Sequence, residues 1–73
     1  MFQEEKMTLG RKLRQLREGM TLTQRDLAKL IGKDVNQICN WENDKVKPSL
    51  HSIRALAYAL EVDSRELISL IRE

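Results

Sequence analysis

The sequence predicts an all-α fold, a compact bundle of five short helices. Three observations carry this expectation. Apolar residues recur at i, i+3, i+4 and i+7, the period of a helix with one buried stripe, and β-branched residues never alternate at period two. Only one Pro and three Gly interrupt the 73 residues. Ser, Thr or Asp precedes most of the periodic runs, where a side-chain oxygen can accept from the open amides of a first helical turn.

The first helix is expected from about Thr8 to Glu18, with Leu9, Leu13 and Leu16 on one face, and Gly19-Met20-Thr21 ends it. Thr23 caps a second helix carrying Leu27, Ala28, Leu30 and Ile31. Gly32 closes that helix in the position that favours a left-handed backbone. Asp34 caps a third helix, Val35 to Asn43, with Gln37 at capping-box spacing. Its apolar face is small: Val35, Ile38 and Trp41. Asn43-Asp44 turns the chain into a basic loop, Lys45-Val46-Lys47-Pro48. Ser49 caps a fourth helix with Leu50, Ile53, Leu56, Ala57 and Leu60 at helical spacing. Asp63 with Glu66 repeats the capping-box pattern and opens a fifth helix through Leu67, Ile68, Leu70 and Ile71. Residues 1–7 are expected to be a flexible segment and 8–73 a single domain.

The bulk numbers fit one small globular domain. The hydrophobic fraction is 41% and the charged fraction 33%, which argues against disorder. A lone Cys39 can make no internal disulfide, and no Cys/His cluster offers a metal four ligands, so no metal or cofactor is expected. No apolar run approaches the roughly 18 residues that cross a membrane. The opening MFQEEKM is acidic where a secretory signal has a basic flank, so no membrane association and a cytoplasmic location are expected. The net charge of +2 is uneven: Lys6 to Lys47 holds ten Lys/Arg against five Asp/Glu, whereas Glu61 to Glu73 holds two against four. A polyanion would prefer the first two thirds of the chain.

The second and third helices carry the functional signal. Gly32-Lys33-Asp34 has the length and composition of a helix-turn-helix corner. On the third helix Asn36, Asn40 and Asn43 fall at i, i+4 and i+7 and form one stripe opposite Ile38. Asn loses several tenths of a kcal/mol against Ala in a helix, roughly, so a merely solvated face would be made more cheaply of Glu, Lys or Gln. Asn can pair with adenine N6 and N7 in the major groove. A neutral surface stripe is the other reading of the same residues.

Leu16-Arg17-Glu18, Leu22-Thr23-Gln24, Leu27-Ala28, Ile38, Trp41-Glu42 and Pro48-Ser49-Leu50 together resemble the phage-repressor and Cro-like (Xre-type) helix-turn-helix family. The stretch Leu56-Ala57-Tyr58-Ala59-Leu60-Glu61-Val62-Asp63 is similar to that family's fourth helix and following turn. The resemblance spans about Leu9 to Ile68. It implies a lambda-repressor-like five-helix domain that binds double-stranded DNA and regulates transcription, many members being repressors. It further implies base contacts from Val35, Asn36, Gln37 and Asn40, and phosphate contacts from Thr23, Gln24, Asn43, Lys45 and Lys47. Arg17 and Glu42 occupy its salt-bridge positions. Val35 departs from the Gln many relatives carry and can only pack against a thymine methyl. Asp44 and Glu61 stand where the family usually has Gly. Operators of this motif usually have two half-sites, so a homodimer is expected, at least on DNA, with the apolar fifth helix taking part.

The remaining singular residues read more plainly. Trp41 belongs to the core, Cys39 is an inert helix residue, His51 lies at the surface, and Tyr58 packs its ring with a wet hydroxyl. No nucleophile–base pair or phosphate-cradling glycine loop suggests an enzyme, and no small-molecule ligand is apparent. The competing function is a protein-interaction module of the same fold.

Overall fold

The computed structural model describes residues 6–71. Five helices follow one another: α1 (Leu9–Gly19), α2 (Gln24–Ile31), α3 (Val35–Glu42), α4 (Leu50–Leu60) and α5 (Ser64–Ile71). No strand occurs among the described residues. Of the N-terminal segment expected to be flexible, residues 1–5 lie outside the described range.

Local chemistry sets the helix starts. Thr8, Thr23, Asp34 and Ser49 each stand in extended backbone and accept a first-turn amide through the side chain. Thr23 with Asp26 and Asp34 with Gln37 complete reciprocal capping boxes. At α5 the expected box takes another form. Asp63 accepts from the Arg65 backbone amide at 2.9 Å and is gripped by the Arg65 guanidinium, also at 2.9 Å. Glu66 instead approaches Lys12 of α1, at 4.0 Å.

The helix ends share a device. After α1, α2, α3 and α4 a residue adopts the left-handed conformation, and the next amide bonds back to a carbonyl five residues earlier. Gly32 fills this position after α2, but Thr21 (φ 56°), Asp44 (φ 59°) and Glu61 (φ 61°) fill it elsewhere. Each of these three side chains crowds its own backbone there.

The core takes residues from every helix: Leu13, Leu27, Ile38, Ile53, Leu56 and Leu67 are fully buried. Helix α1 packs on α3 and α5, and α2 packs on α3 and α4. Trp41 joins this core at 5% exposure, as its spacing predicts. Three apolar expectations are corrected. Leu30 and Leu50 are exposed, since each sits at the edge of its stripe. Tyr58 is 89% exposed, because α4 turns Ile53, Leu56, Ala57 and Leu60 inward and leaves Tyr58 on the opposite face. In α5 Leu67 is buried, while Ile68, Leu70 and Ile71 are half-buried against the core.

Candidate nucleic-acid interface

The corner between α2 and α3 is rigid for identifiable reasons. Gly32 lies at φ 69° and ψ 37°, and the Lys33 amide bonds back to the Ala28 carbonyl at 2.9 Å. Two residues later the Asp34 carboxylate accepts from the Asn36 amide at 2.8 Å and starts α3. Leu27 and Ala28 on α2 meet the buried Ile38 and Trp41 on α3, which locks the two helices together.

The other end of α3 is held by a buried ion pair. Arg17 and Glu42 meet in a two-pronged fork: Nε to Oε2 at 2.6 Å and Nη2 to Oε1 at 3.0 Å. The Glu42 side chain has no exposed surface, and that of Arg17 keeps 10%. The third guanidinium nitrogen, Nη1, donates to the Leu22 carbonyl at 2.7 Å and so ties the turn before α2 to α1. Gln24 Nε2 donates to Glu42 Oε1 at 3.0 Å, and Arg14 Nε reaches the same oxygen at 3.4 Å. One carboxylate thus collects donors from α1 and α2. Burial alone would push the Glu42 carboxyl up, but the bonds from Arg17 and Gln24 and the Arg17 charge outweigh it and hold it below its ordinary value. The same fork raises Arg17 further above its already high value. Among the described residues no buried side-chain nitrogen or oxygen lacks a partner. The expected Arg17–Glu42 pair therefore exists and is larger than expected, since Arg14 and Gln24 also join it.

The outer face of α3 is chemically different. Asn36 and Gln37 are exposed, and Val35 and Asn40 are half-buried, with Val35 leaning on the core. No hydrogen bond within the described residues engages the Asn36 or Asn40 carboxamide. Gln37 commits its oxygen to the Asp34 amide at 3.3 Å and keeps its N–H groups outward. Asn43, the α3 C-cap, behaves otherwise: its Nδ2 donates to the Cys39 carbonyl at 3.0 Å and its Oδ1 accepts from Arg14 Nη2 at 3.2 Å. Gln24 is likewise turned inward to Glu42, and Thr23 is occupied in its capping box. Lys45 and Lys47 project from the exposed loop after α3. The stripe read from the sequence thus divides, with Asn36 and Asn40 open and Asn43 committed to holding the helix end.

Residues 13–67 match the family described as Helix-turn-helix. The chain belongs to that family. The helix-turn-helix chain has solved structural neighbours of phage-repressor and controller type. The restriction-modification controller protein C.AhdI from Aeromonas hydrophila shares 39% identity, with a TM-score of 0.77 over 81% of this chain and 89% of that one. The P22 c2 repressor, solved in complex with a synthetic operator, shares 26% identity, with a TM-score of 0.81 over 85% of this chain and 94% of that one. The HTH-type transcriptional activator BcrR of Enterococcus faecalis is 35% identical over 63 residues, which are 86% of this chain. The chain spans only 31% of the length of that relative. The phage-repressor and Cro-like resemblance is borne out, and the family's role is DNA binding in transcription regulation. No helix among the described residues is long and apolar enough to cross a membrane.

Proposed function

We propose that this domain binds double-stranded DNA sequence-specifically, with α3 in the major groove, and that the protein acts as a transcriptional repressor. The observation that carries this reading is the contrast on α3. Its inner face packs into the core and its two ends are held by hydrogen bonds, while the Asn36 and Asn40 carboxamides are left for an external partner. A solvated surface does not need a poor helix former on so firmly braced a helix.

In this reading Val35, Asn36, Gln37 and Asn40 meet base edges, and Thr23, Gln24, Asn43, Lys45 and Lys47 serve the phosphates. Gln24 commits one N–H of Nε2 to Glu42, and its second N–H is left to donate to a phosphate. The open backbone amides of the first turn of α2 suit a phosphate without rearrangement. Asn43 serves by holding Arg14 and the helix end. Similarity to the P22 c2 repressor, solved in complex with a synthetic operator, supports an operator as the partner. A homodimer follows from the need for two half-sites, with the half-buried Ile68, Leu70 and Ile71 of α5 as its apolar contribution. A duplex DNA target is consistent with a cytoplasmic location.

Selection of bound sequences from a random duplex library tests this directly. The expected result is a two-fold symmetric site whose affinity falls with salt, by a logarithmic slope of about 0.9 per phosphate neutralised. Failure to enrich any sequence, or binding indifferent to salt, overturns it.

A further inference from the structure

We propose that Asp44 is a positioning residue for DNA binding: its carboxylate straps the loop that carries Lys45 and Lys47 to the start of α1. The proposal rests on the reading that this loop faces the phosphate backbone.

A left-handed residue other than Gly crowds its own backbone, so its side chain invites an explanation. Three such residues end helices here, and they differ in what the side chain does. Among the described residues Thr21 Oγ1 bonds only to the neighbouring Met20 carbonyl, at 2.6 Å. The Glu61 side chain is exposed and makes no hydrogen bond within the described residues. Asp44 reaches across the molecule. Its Oδ2 accepts from Thr8 Oγ1 at 2.6 Å, and its Oδ1 accepts from the Gly10 amide at 2.9 Å.

The opposite side of this contact is shaped for it. A Cβ at Gly10 would stand 2.5 Å from the Glu42 carbonyl oxygen, 2.6 Å from that of Trp41 and 2.8 Å from Asp44 Oδ1. Helix α1 therefore comes this close to the end of α3 only because residue 10 has no side chain. The carboxylate also meets the open amides of the α1 N-terminus, where a negative charge is favoured.

The location matters because Lys45 follows immediately. The loop is held at its far end by the buried Pro48 and by the Ser49 cap of α4. The Asp44 strap holds the near end. With both ends anchored, Lys45 and Lys47 stand at a set height beside α3. An uncompensated carboxylate here would only repel phosphate, so strap and repulsion predict opposite outcomes on removal.

The test uses the full chain as parent, Asp44→Gly, Asp44→Asn and Thr8→Val. Each is titrated against the selected duplex and a scrambled duplex at two salt concentrations, below the melting temperature of every variant. Without the strap, Asp44→Gly is expected to bind both duplexes roughly three- to ten-fold more weakly, the equivalent of about one net hydrogen bond. This weakening comes although the protein gains positive charge. The salt slope also becomes shallower by about 0.9 for each phosphate no longer neutralised, which a fall in stability alone would not change. Asp44→Asn keeps one acceptor and falls between parent and Asp44→Gly. Thr8→Val keeps the charge and also weakens both duplexes. Tighter or unchanged binding by Asp44→Gly and Asp44→Asn overturns the proposal while leaving DNA binding intact. A parent chain that binds neither duplex overturns the DNA reading, and the role of Asp44 with it.

Discussion

Helix α3 contains two regions that handle hydrogen bonds in opposite ways. At its C-terminal end Glu42 is buried and receives donors from Arg17, Gln24 and Arg14. On its outer face the exposed Asn36 and the half-buried Asn40 keep carboxamides that take no hydrogen bond from the described residues. The first region defines where α3 lies relative to α1 and α2, and the second gives that placement something to present. A reading surface needs both properties, because an open amide discriminates between bases only if its position does not drift to suit each one.

The largest effect is expected from breaking the saturated end. Glu42→Ala leaves the Arg17 guanidinium buried without its partner, which costs about 3–5 kcal/mol, whereas an exposed pair is worth about 1 kcal/mol or less. Thermal melts of Arg17→Ala, Glu42→Ala and the double variant isolate the coupling, and a value near zero would refute it. The pH dependence has a defined sign. The folded Glu42 carboxyl is held below its ordinary value, so its contribution is complete above the ordinary carboxylate range. It is lost as pH falls through the lowered folded value, because the unfolded chain then binds the proton more readily. Asp26, lowered chiefly by the Thr23 backbone amide, and Asp63, lowered to about 2 chiefly by the Arg65 side chain, act in the same direction. Glu42→Gln removes one of these three titrations, so its melting temperature should fall less steeply with acid than that of the parent.

A second break tests the close packing beside that end. Gly10→Ala drives a methyl into the Trp41 and Glu42 carbonyls, which are backbone and cannot swing aside. Overpacking of this kind costs about 1–3 kcal/mol. Chemical denaturation measures it, and a stabilised variant would show that the approach of α1 to α3 is looser than the distances imply.

The open face is tested by specificity rather than stability. Asn40→Ala should lose about 1–3 kcal/mol of discrimination for the selected site over a scrambled duplex, the worth of one good bidentate base contact. Lys47→Ala should instead weaken both duplexes alike and make the salt slope shallower by about 0.9. Equal proportional losses on both duplexes for Asn40→Ala would mean that α3 does not read bases.

What could be read from the sequence follows the range of each interaction. Thr23, Asp34, Ser49 and Gly32 were legible because a cap acts on atoms two or three residues away. The buried positions of Leu27, Ile38 and Trp41 were legible because helical period and burial coincide. Arg17 with Glu42 came from resemblance rather than spacing, since 25 residues separate them. The partners nothing local announces were missed: Arg14 and Gln24 on Glu42, and Asp44 on Thr8 and Gly10. One signal was available. Gly inside a helix costs about 1 kcal/mol against Ala, so Gly10 one residue into a helical run points to a close backbone approach. Tyr58 was misread because one aromatic ring on a mixed face does not reveal which side it takes.

The smallest expected effect is a gain, and it returns to the helix ends. Glu61 ends α4 at φ 61° and ψ 42°, with its amide bonding to the Tyr58 carbonyl at 3.3 Å and the Val62 amide to the Ala57 carbonyl at 3.0 Å. Those backbone bonds survive any substitution that keeps the left-handed turn. Unlike Asp44, Glu61 makes no side-chain hydrogen bond within the described residues, so Gly removes the crowding and sacrifices no side-chain bond. Relief of a left-handed L-residue is worth roughly 1–2 kcal/mol, reduced by about 0.4–1 kcal/mol for the greater freedom Gly has in the unfolded chain. Glu61→Gly should therefore raise stability by about 0.5–1 kcal/mol, a rise of a few degrees in melting temperature for a domain of this size. The matched Asp44→Gly variant relieves the same crowding but loses the bonds to Thr8 and Gly10, so it should gain less or nothing. A calorimetric comparison of the two separates backbone strain from the strap, and equal gains in both would mean that the Asp44 bonds contribute no stability.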